Sequence, residues 1–369
     1  MRPLTIVHTE SSLGWGGQEI RILTEAQGLI RRGHRVQLLC PPEARIHDEA
    51  ARFAVPVHAL HIGRKRMRGL TAMIGWFRAT RCDVINTHSS TDSWLAALAM
   101  LTLGKKAPIV RTRHISARVP QNGMTRWLYG RAAARIVTTG DALRQQLIGD
   151  NGIDASKVVS VPTGIDTNRF VPGDKFAART ALGLPADRPL VGIVATLRSW
   201  KGHRFLLEAC AKLPPGTGLV IVGDGPQREA LQALIGTLGL QDRVWMPGNQ
   251  IDVLPWLQAL DVFALPSYAN EGVPQALIQA MLVGLPCVST PAGSIGELAL
   301  NDHTALVVPG QDVQALRAAL SLLLGDADLR ARLGAAARAY CVERYSLEHM
   351  LDRMEAVFQD VAAHGPGRP

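Results

Sequence analysis

Residues 262–289 read VFALPSYANEGVPQALIQAMLVGLPCVS, and this stretch decides the fold. The apolar run 262–265 is typical of a buried strand, and a glycine-containing loop follows it. Pro274 is a favoured first helical residue and predicts a helix that runs to about residue 283. A second apolar run at 286–289 completes a strand–helix–strand unit, whose two strands we expect to be parallel.

The same alternation extends in both directions. Strands are predicted in the first half at 4–7, 36–39, 84–86, 109–112 and 136–138, with helices such as 19–31 and 92–103 between them. They are predicted in the second half at 190–196, 219–222, 243–246, 262–265 and 286–289. Regular alternation indicates doubly wound parallel sheets. We therefore predict an α/β protein of two Rossmann-like domains that face each other.

The alternation pauses in VPTGIDTNRFVPGD at residues 161–174, which is rich in proline, glycine and aspartate, and we predict the linker near residues 166–175. We assign 1–168 to an N-terminal domain and 169–346 to a C-terminal domain. A last helix, at about 347–369, follows Ser346, which can cap it. A chain of 369 residues has room for two cores of this kind.

Composition restricts the class of protein. The five cysteines are odd in number and scattered without a C-x-x-C pair, which predicts a reducing compartment and no structural zinc. The N-terminus lacks a signal-peptide pattern, and no apolar run approaches the roughly 20 residues of a membrane span. We therefore expect a cytoplasmic protein. Its net charge of +9 favours an anionic partner.

One basic cluster, formed by Arg64, Lys65, Arg66 and Arg68, opens a predicted helix that carries apolar residues as far as Phe77. Cations beside a tryptophan-bearing apolar face are typical of docking at an anionic membrane. The alternative is a solvated helix end whose apolar stripe faces the core. The cluster has no interleaved aromatics or groove-reading motif, so nucleic acid is not an expected partner.

The loop after the strand at 262–265 is the strongest candidate site. Its backbone amides at Gly272 and Val273 lie at a predicted helix N-terminus, which is a site for a diphosphate. Glu271 can accept hydrogen bonds from sugar hydroxyls, although an acidic residue that only complements the helix dipole is the alternative. Ser267 opens the same loop and is a further candidate for donor binding.

A second loop adds two cations to this candidate site. Arg198 and Lys201 follow the strand at 190–196 and precede a helix. At that position they can neutralise a departing diphosphate, which is the task magnesium performs in other enzymes. We therefore predict that neither a metal nor another cofactor is needed.

Two further turns are predicted to line the nucleotide. Gly223, Asp224 and Gly225 form a strand-to-helix turn that lacks the third glycine of a dinucleotide fingerprint. Pro247 ends the next strand, where backbone groups can meet the base.

The first half carries a glycine loop and two histidines. Gly14, Gly16 and Gly17 lie too far beyond the first strand for a tight dinucleotide turn, so we expect a loop that reaches a phosphate or the acceptor. His88 and His114 each follow a strand and are candidates for binding sugar or acceptor groups. No carboxylate nucleophile is apparent in this half, which disfavours the two-carboxylate scheme of glycosidases.

With these residues the chain resembles the retaining GT-B glycosyltransferases of the family 4 type, which include sucrose synthases, bacterial mannosyltransferases and lipopolysaccharide-core enzymes. The resemblance covers nearly the whole chain. It rests on GWGGQE at 14–19, Arg198 with Lys201, GDGP at 223–226, and PSYANEGVPQALIQAM with GLPCVSTPAGSIGEL within 266–298.

The resemblance implies several roles. Glu271 contacts the donor sugar, Arg198 and Lys201 hold the diphosphate, and His114 lies near the transferred sugar. It also implies that the N-terminal domain binds the acceptor and the C-terminal domain binds the nucleotide sugar, and that the last helix, about 347–369, crosses back to the N-terminal domain and belongs with it. The family places a second glutamate where this chain has Gln279, and that glutamate binds the ribose hydroxyls. A neutral amide has one acceptor oxygen, so we expect a weaker or rearranged ribose contact here.

The predicted function is therefore a retaining, metal-independent transfer of a sugar from a nucleotide diphosphate sugar to a glycan or lipid-linked acceptor. Synthesis of lipopolysaccharide or another cell-surface polysaccharide, and peripheral association with the inner membrane face, would suit the charge. Two alternatives remain open: a two-lobed protein that binds a nucleotide sugar without transfer, and a sugar-nucleotide epimerase of similar architecture.

Overall fold

The computed structural model describes residues 2–104, 107–115 and 117–364, and it divides the chain into two compact units. The first comprises 1–163 together with 348–369, and the second comprises 164–347. Residues 164–168, which the sequence assigned to the first domain, belong to the second unit. The last part of the predicted C-terminal segment, 365–369, lies outside the described residues.

The first unit contains a parallel sheet of seven strands in the order β3-β2-β1-β4-β5-β6-β7. The strands are Thr5–Thr9 (β1), Arg35–Cys40 (β2), Val57–Ala59 (β3), Val84–Thr87 (β4), Ile109–Arg113 (β5), Ala133–Thr138 (β6) and Val158–Ser160 (β7). The helices between them are Gly17–Arg31 (α1), Arg45–Glu49 (α2), Met67–Ala79 (α3), Ser90–Thr102 (α4), Gly123–Trp127 (α5) and Asp141–Gly149 (α6). Reversal of strand order between β1 and β4 makes a switch point there.

The second unit contains a parallel sheet of six strands in the order β10-β9-β8-β11-β12-β13. The strands are Leu190–Val194 (β8), Gly218–Val222 (β9), Val244–Gly248 (β10), Val262–Leu265 (β11), Cys287–Ser289 (β12) and Leu306–Val307 (β13). The helices are Lys175–Leu182 (α7), His203–Cys210 (α8), Arg228–Thr237 (α9), Leu254–Gln258 (α10), Gln275–Leu282 (α11), Val313–Gly325 (α12) and Ala327–Arg344 (α13). Both predicted Rossmann-like domains are thus confirmed.

The last helix, Leu347–His364 (α14), packs on the first unit from Glu348 onward. The Arg32 guanidinium at the end of α1 contacts three of its carboxylates, at 2.5 Å from Glu348, 2.8 Å from Asp352 and 3.0 Å from Glu355. Phe358 on the same helix is fully buried. An ion-pair network and an apolar face therefore both attach this helix to the sheet formed by the N-terminal half.

The apolar stripe of α3 faces the core. Met73 and Phe77 are buried, and Trp76 packs edge-on against Phe77 with ring centroids 5.0 Å apart. The structure thus confirms the alternative in which this stripe packs inside, and the basic residues Arg64 to Arg66 precede the helix. Within the described ranges, the helices are too short or too polar to cross a membrane. All five cysteines are free.

Candidate functional site

In the second unit, the loops after β8 and β11 are joined at the carboxyl ends of the two strands. The loop after β8 makes a short 3-10 turn, Ser199–Lys201, and the Tyr268 amide of the β11 loop donates to the Trp200 carbonyl at 2.9 Å. Gly202 ends the turn with φ of 78°, and a Cβ there would lie 2.1 Å from the Pro266 carbonyl oxygen. Only glycine allows this approach of the two loops.

The two loops bring Lys201 and Glu271 together. The Lys201 ammonium lies 2.6 Å from a Glu271 carboxylate oxygen, and the side chains are 18% and 5% exposed. Removing one partner of a fully buried pair costs about 3–5 kcal/mol, and the exposed part of Lys201 reduces that figure here. The lysine has three donors, so it can keep Glu271 and still donate to a bound anion.

The backbone amides beside this pair lie at the N-terminus of α11, where an anion can bind. Pro274 is the N-cap of α11 and not its first residue. The helix therefore begins at Gln275, one position later than the sequence indicated. Gly272 and Val273 precede it and are buried, and the described residues offer their amides no hydrogen-bond acceptor. The Ser267 hydroxyl is also buried without a partner among the described residues. A buried N–H without an acceptor is costly, so these groups can serve a ligand.

The turn after β9 lies against the loop after β8. The Leu197 amide donates to the Asp224 carbonyl at 3.0 Å, and the Gly223 amide donates to the Gly248 carbonyl at 2.9 Å. A Cβ on Gly223 would lie 2.0 Å from the Ala195 carbonyl oxygen, and its φ is 138°. Gly225 continues the turn. Hydrogen bonds therefore connect the predicted loops after β8, β9 and β10.

Three further predicted donor residues lie near these loops, and within the described structure none of their side chains is hydrogen-bonded or ion-paired to Lys201 or Glu271. The backbone of Arg198 does contact the pair, since its carbonyl accepts from the Lys201 amide at 3.1 Å. Arg198 is exposed, with its guanidinium 5.7 Å from the centroid of the Trp200 ring. Pro247 accepts a hydrogen bond from the Gln250 amide through its carbonyl oxygen at 3.0 Å. Gln279 is half-buried in the second turn of α11. Arg198 thus remains available to an anionic ligand.

In the first unit, the two predicted histidines are joined by a third that the sequence did not suggest. His8 Nδ1 lies 2.9 Å from His88 Nε2, and His88 Nδ1 lies 2.9 Å from His114 Nε2. His8 is fully buried on β1, His88 is buried after β4, and His114 is half-buried after β5. Adjacent strands of the sheet therefore place the three rings in one hydrogen-bonded chain.

Burial keeps this chain neutral. Burial and then the charge of Arg21 lower the pKa of His8 to about 3. Burial and the neighbouring rings lower the pKa of His88, and burial with the charges of Arg21 and Arg111 lowers that of His114. His8 Nε2 is buried without a partner in the described residues. A buried nitrogen lone pair without a donor costs less than a buried N–H without an acceptor, so we assign His8 the tautomer with its proton on Nδ1. His8 Nδ1–H then donates to His88 Nε2, and His88 Nδ1–H donates to His114 Nε2. The proton of His114 is therefore on its Nδ1.

Two buried carboxylates that the sequence did not suggest also lie at these strand ends. Glu10, after β1, accepts from the Ser12 amide at 2.7 Å and from the Ser89 hydroxyl at 2.5 Å. Asp92, in the first turn of α4, accepts from the Thr9 hydroxyl at 2.7 Å and the His88 amide at 3.0 Å. Burial and the charge of Asp92 raise the pKa of Glu10 to about 8.

The glycine loop of the first unit is held by Glu10. Its second carboxylate oxygen accepts from the side-chain amide of Gln18, and the Gly14 amide donates to the Ser12 hydroxyl at 3.0 Å. Gly16 is the N-cap of α1, which begins at Gly17, two residues earlier than predicted. The loop therefore joins β1 to α1 in the first unit, whereas the other predicted donor residues belong to the second unit.

A signal for the missed residues was present in the sequence. His8 and Glu10 end the first strand in the same way that His88 and His114 follow theirs. Polar side chains at the carboxyl ends of neighbouring parallel strands meet at one edge of a sheet. The strand order places β1 next to β4 and β4 next to β5, which brings these positions together.

Two Rossmann-like sheets with charged side chains and glycine turns at their strand ends are typical of α/β enzymes that bind nucleotides. Comparison with known families agrees with this class. Residues 15–169 match the family described as Glycosyltransferase Family 4, and residues 174–340 match the family described as Glycosyl transferases group 1. The chain therefore belongs to the GT-B glycosyltransferases of these families.

Individual relatives agree with the family. The chain is 28% identical to the D-inositol 3-phosphate glycosyltransferase of Xylanimonas cellulosilytica, over 96% of this chain and 94% of that protein. Its fold is similar to that of a glycosyltransferase from Rickettsia africae, with a TM-score of 0.88, 20% identity and coverage of 99% and 100%. It is also similar to HepE from Anabaena in complex with UDP-glucose, with a TM-score of 0.87, 22% identity and coverage of 97% and 100%.

Proposed function

We propose that this glycosyltransferase takes its sugar from a nucleotide diphosphate sugar bound by the second unit. The observation that carries the proposal is the Lys201–Glu271 pair beside the buried amides of Gly272 and Val273. A cation and helix N-terminal amides suit a diphosphate, and a carboxylate suits sugar hydroxyls. HepE, which shares the fold, is described with UDP-glucose.

We propose that the leaving diphosphate is stabilised by Arg198, Lys201 and the amides near Gly272, and that no metal is needed. As the bond to the anomeric carbon breaks, negative charge develops on the diphosphate oxygens. Fixed cations and amides then stabilise the transition state more than the ground state. Arg198 is unpaired within the described structure, so binding the diphosphate breaks no existing ion pair.

We further propose that the reaction retains the anomeric configuration. The acceptor hydroxyl attacks the oxocarbenium-like carbon from the face that the diphosphate leaves, and its proton passes to a diphosphate oxygen. Glu10 and Asp92 do not take the role of a nucleophile in this scheme. Both are fully buried and accept hydrogen bonds from serine, threonine and backbone groups, which indicates that they hold the strand-end loops.

The proposed acceptor carries negative charge. The relative from Xylanimonas is named for D-inositol 3-phosphate, and the present chain has a net charge of +9. The glycan or lipid-linked acceptors of surface polysaccharides or lipopolysaccharide meet the same requirement. We also propose a cytoplasmic location, because the scattered cysteines, which the structure leaves free, suit a reducing compartment.

A panel of nucleotide sugars tests this proposal. The donor should raise the melting temperature of the purified protein, and incubation with it should release nucleoside diphosphate and form a glycoside whose anomeric configuration nuclear magnetic resonance can assign. Stabilisation without release would indicate the binding-only alternative. Conversion of the donor into another nucleotide sugar would indicate an epimerase. An inverted product would exclude the same-face mechanism.

A further inference from the structure

A pocket of about 770 Å³ opens in the first unit between α3, α4, α5 and the stretch after β5. Its size lies within the roughly 300–1,000 Å³ of small-molecule sites. Most of the wall is apolar. The apolar wall residues include Leu70, Trp94, Leu95, Leu98, Val119 and Leu128. Neither the fold nor the proposed donor chemistry accounts for a cavity of this kind.

The polar part of the wall is cationic. Five basic side chains line the pocket, and no acidic residue does so among the described ones. The five are Lys65, Arg66, Arg111, Arg113 and Arg118. Arg111 is 4% exposed and lies over the Tyr129 ring, with its guanidinium 4.8 Å from the centroid. Such a wall selects for an anion.

The two arginines from β5 have incomplete partners. Within the described structure neither Arg111 nor Arg113 has a carboxylate within ion-pair distance, and the Nε of each is buried without a hydrogen bond. Arg111 donates to the Ser89 carbonyl at 3.0 Å and to the Ser93 hydroxyl. Arg113 donates to the Tyr129 hydroxyl at 3.3 Å and to the Ala117 carbonyl. Arg111 is buried and Arg113 is half-buried, each without an ion-paired carboxylate, which is costly, and a bound anion would reduce that cost.

Exposed apolar side chains gather at the same pocket. Met67 is 70% exposed, Met124 is 67% exposed and Ile115 is 49% exposed, and all three line it. Exposed large apolar residues that share one pocket indicate a ligand with apolar surface. A free phosphate or a fully polar glycan would leave this wall without a partner.

Hydrogen bonds connect the wall of the pocket to the strand-end groups of the first unit. Ser89, whose carbonyl accepts from Arg111, also donates its hydroxyl to Glu10 at 2.5 Å. Its neighbour Ser90 lines the pocket. An anionic head group beside Arg111 and Arg113 would therefore lie next to the edge of the sheet that carries His88 and His114.

We propose that this pocket binds the lipid part of the acceptor: a phosphate mono- or diester head group at Arg111 and Arg113, with a single hydrocarbon chain along Trp94, Leu98 and Leu128. That the bound amphiphile is the acceptor of the sugar rests on the proposed function. Binding of the amphiphile itself depends only on the pocket. The charge selects the head group and the apolar wall selects the chain.

Isothermal titration of the full protein with dodecyl phosphate, below its micelle concentration, tests the proposal. We expect saturable binding at one site, with inorganic phosphate and neutral dodecyl maltoside each binding at least about tenfold more weakly. Equal binding of inorganic phosphate would overturn the role of the chain, and equal binding of the maltoside would overturn that of the charge. If the protein bound vesicles of anionic lipid but not dodecyl phosphate, the proposed pocket would be wrong and the basic residues would form a membrane-binding surface.

Matched variants locate the site. Met67→Glu with Met124→Glu places two acids on exposed wall positions, where folding tolerates polar groups, and should weaken dodecyl phosphate binding by about tenfold or more through like-charge repulsion. Leu322→Glu, at a 51% exposed position in the second unit, should leave binding unchanged. Unchanged binding in the double variant, with a wild-type melting temperature, would contradict the assignment. Donor hydrolysis by the wild-type protein without amphiphile tests the proposed function separately.

Discussion

Replacing Phe358 with alanine should destabilise the first unit, although the residue lies near the C-terminus of the chain. Phe358 is fully buried on α14, and its ring meets that of His8 edge to face with centroids 6.4 Å apart. Truncating a buried phenylalanine to alanine costs about 3–5 kcal/mol, because apolar burial is lost and a cavity remains. For a unit of this size that corresponds to a fall of roughly 6–20 °C in melting temperature.

Hydrogen exchange followed by mass spectrometry can assign this loss to one unit. We expect faster exchange in peptides from β1, β4 and α14, with little change in β8 and β11. Phe176→Ala, at a 60% exposed position on α7, is the matched control and should cost less than about 0.5 kcal/mol. A loss below about 1 kcal/mol for Phe358→Ala, or faster exchange confined to the second unit, would refute the packing of α14 described here.

Three further predictions concern pH, donor affinity and a glycine turn. Burial and the Arg21 charge lower the pKa of folded His8 to about 3 from 6.5, so its contribution to stability is complete above pH 6.5 and is lost as the pH falls toward 3. Urea unfolding of His8→Gln should therefore lose about 1.4 kcal/mol less per pH unit below 6.5 than wild type, and parallel pH profiles would disprove a neutral His8. Gln279→Glu should tighten donor binding about fivefold by calorimetry, because a charged acceptor makes a stronger hydrogen bond to ribose, and unchanged affinity would remove the ribose contact. Gly223→Ala should destabilise the second unit by about 2 kcal/mol or more, because a Cβ there would lie 2.0 Å from the Ala195 carbonyl oxygen. Gly216→Ala, where a Cβ would point into open space, is the control and should leave the stability unchanged. Equal melting temperatures of the two variants would argue against the turn geometry.

Much of the fold could be predicted because both sheets consist of apolar runs separated by helical periodicity. The strands missed, β3, β7 and β13, have three residues or fewer, and so short a strand is recognised only beside a clear motif, as β12 is after the helix that follows the loop at 266–273. Helix starts were displaced by one or two residues at Pro274 and Gly17, because capping geometry depends on backbone angles that residue types do not fix.

The sequence indicated several individual residues of the candidate site, but it did not indicate which of them contact each other. Lys201 and Glu271 were each suggested by their position after a strand, but their 2.6 Å contact depends on how closely Gly202 lets two loops approach. The histidine chain joins residues 80 positions apart in sequence, His8 and His88, so it requires knowledge of which strands are neighbours. The apolar pocket escaped notice for the same reason, since its walls come from separate helices.

The most direct test of the central claim measures the release of nucleoside diphosphate from the donor that the panel identifies. The wild-type protein is compared with variants that lack the Arg198 or the Lys201 side chain. Arg198→Ala and Lys201→Ala should each lower kcat by about 10²–10³, as expected when one group that stabilises developing charge is removed. Arg204→Ala, which removes an exposed arginine paired with Glu208 on α8, should leave kcat unchanged. Turnover near the wild-type value in both Arg198→Ala and Lys201→Ala would contradict a leaving-group site in the second unit.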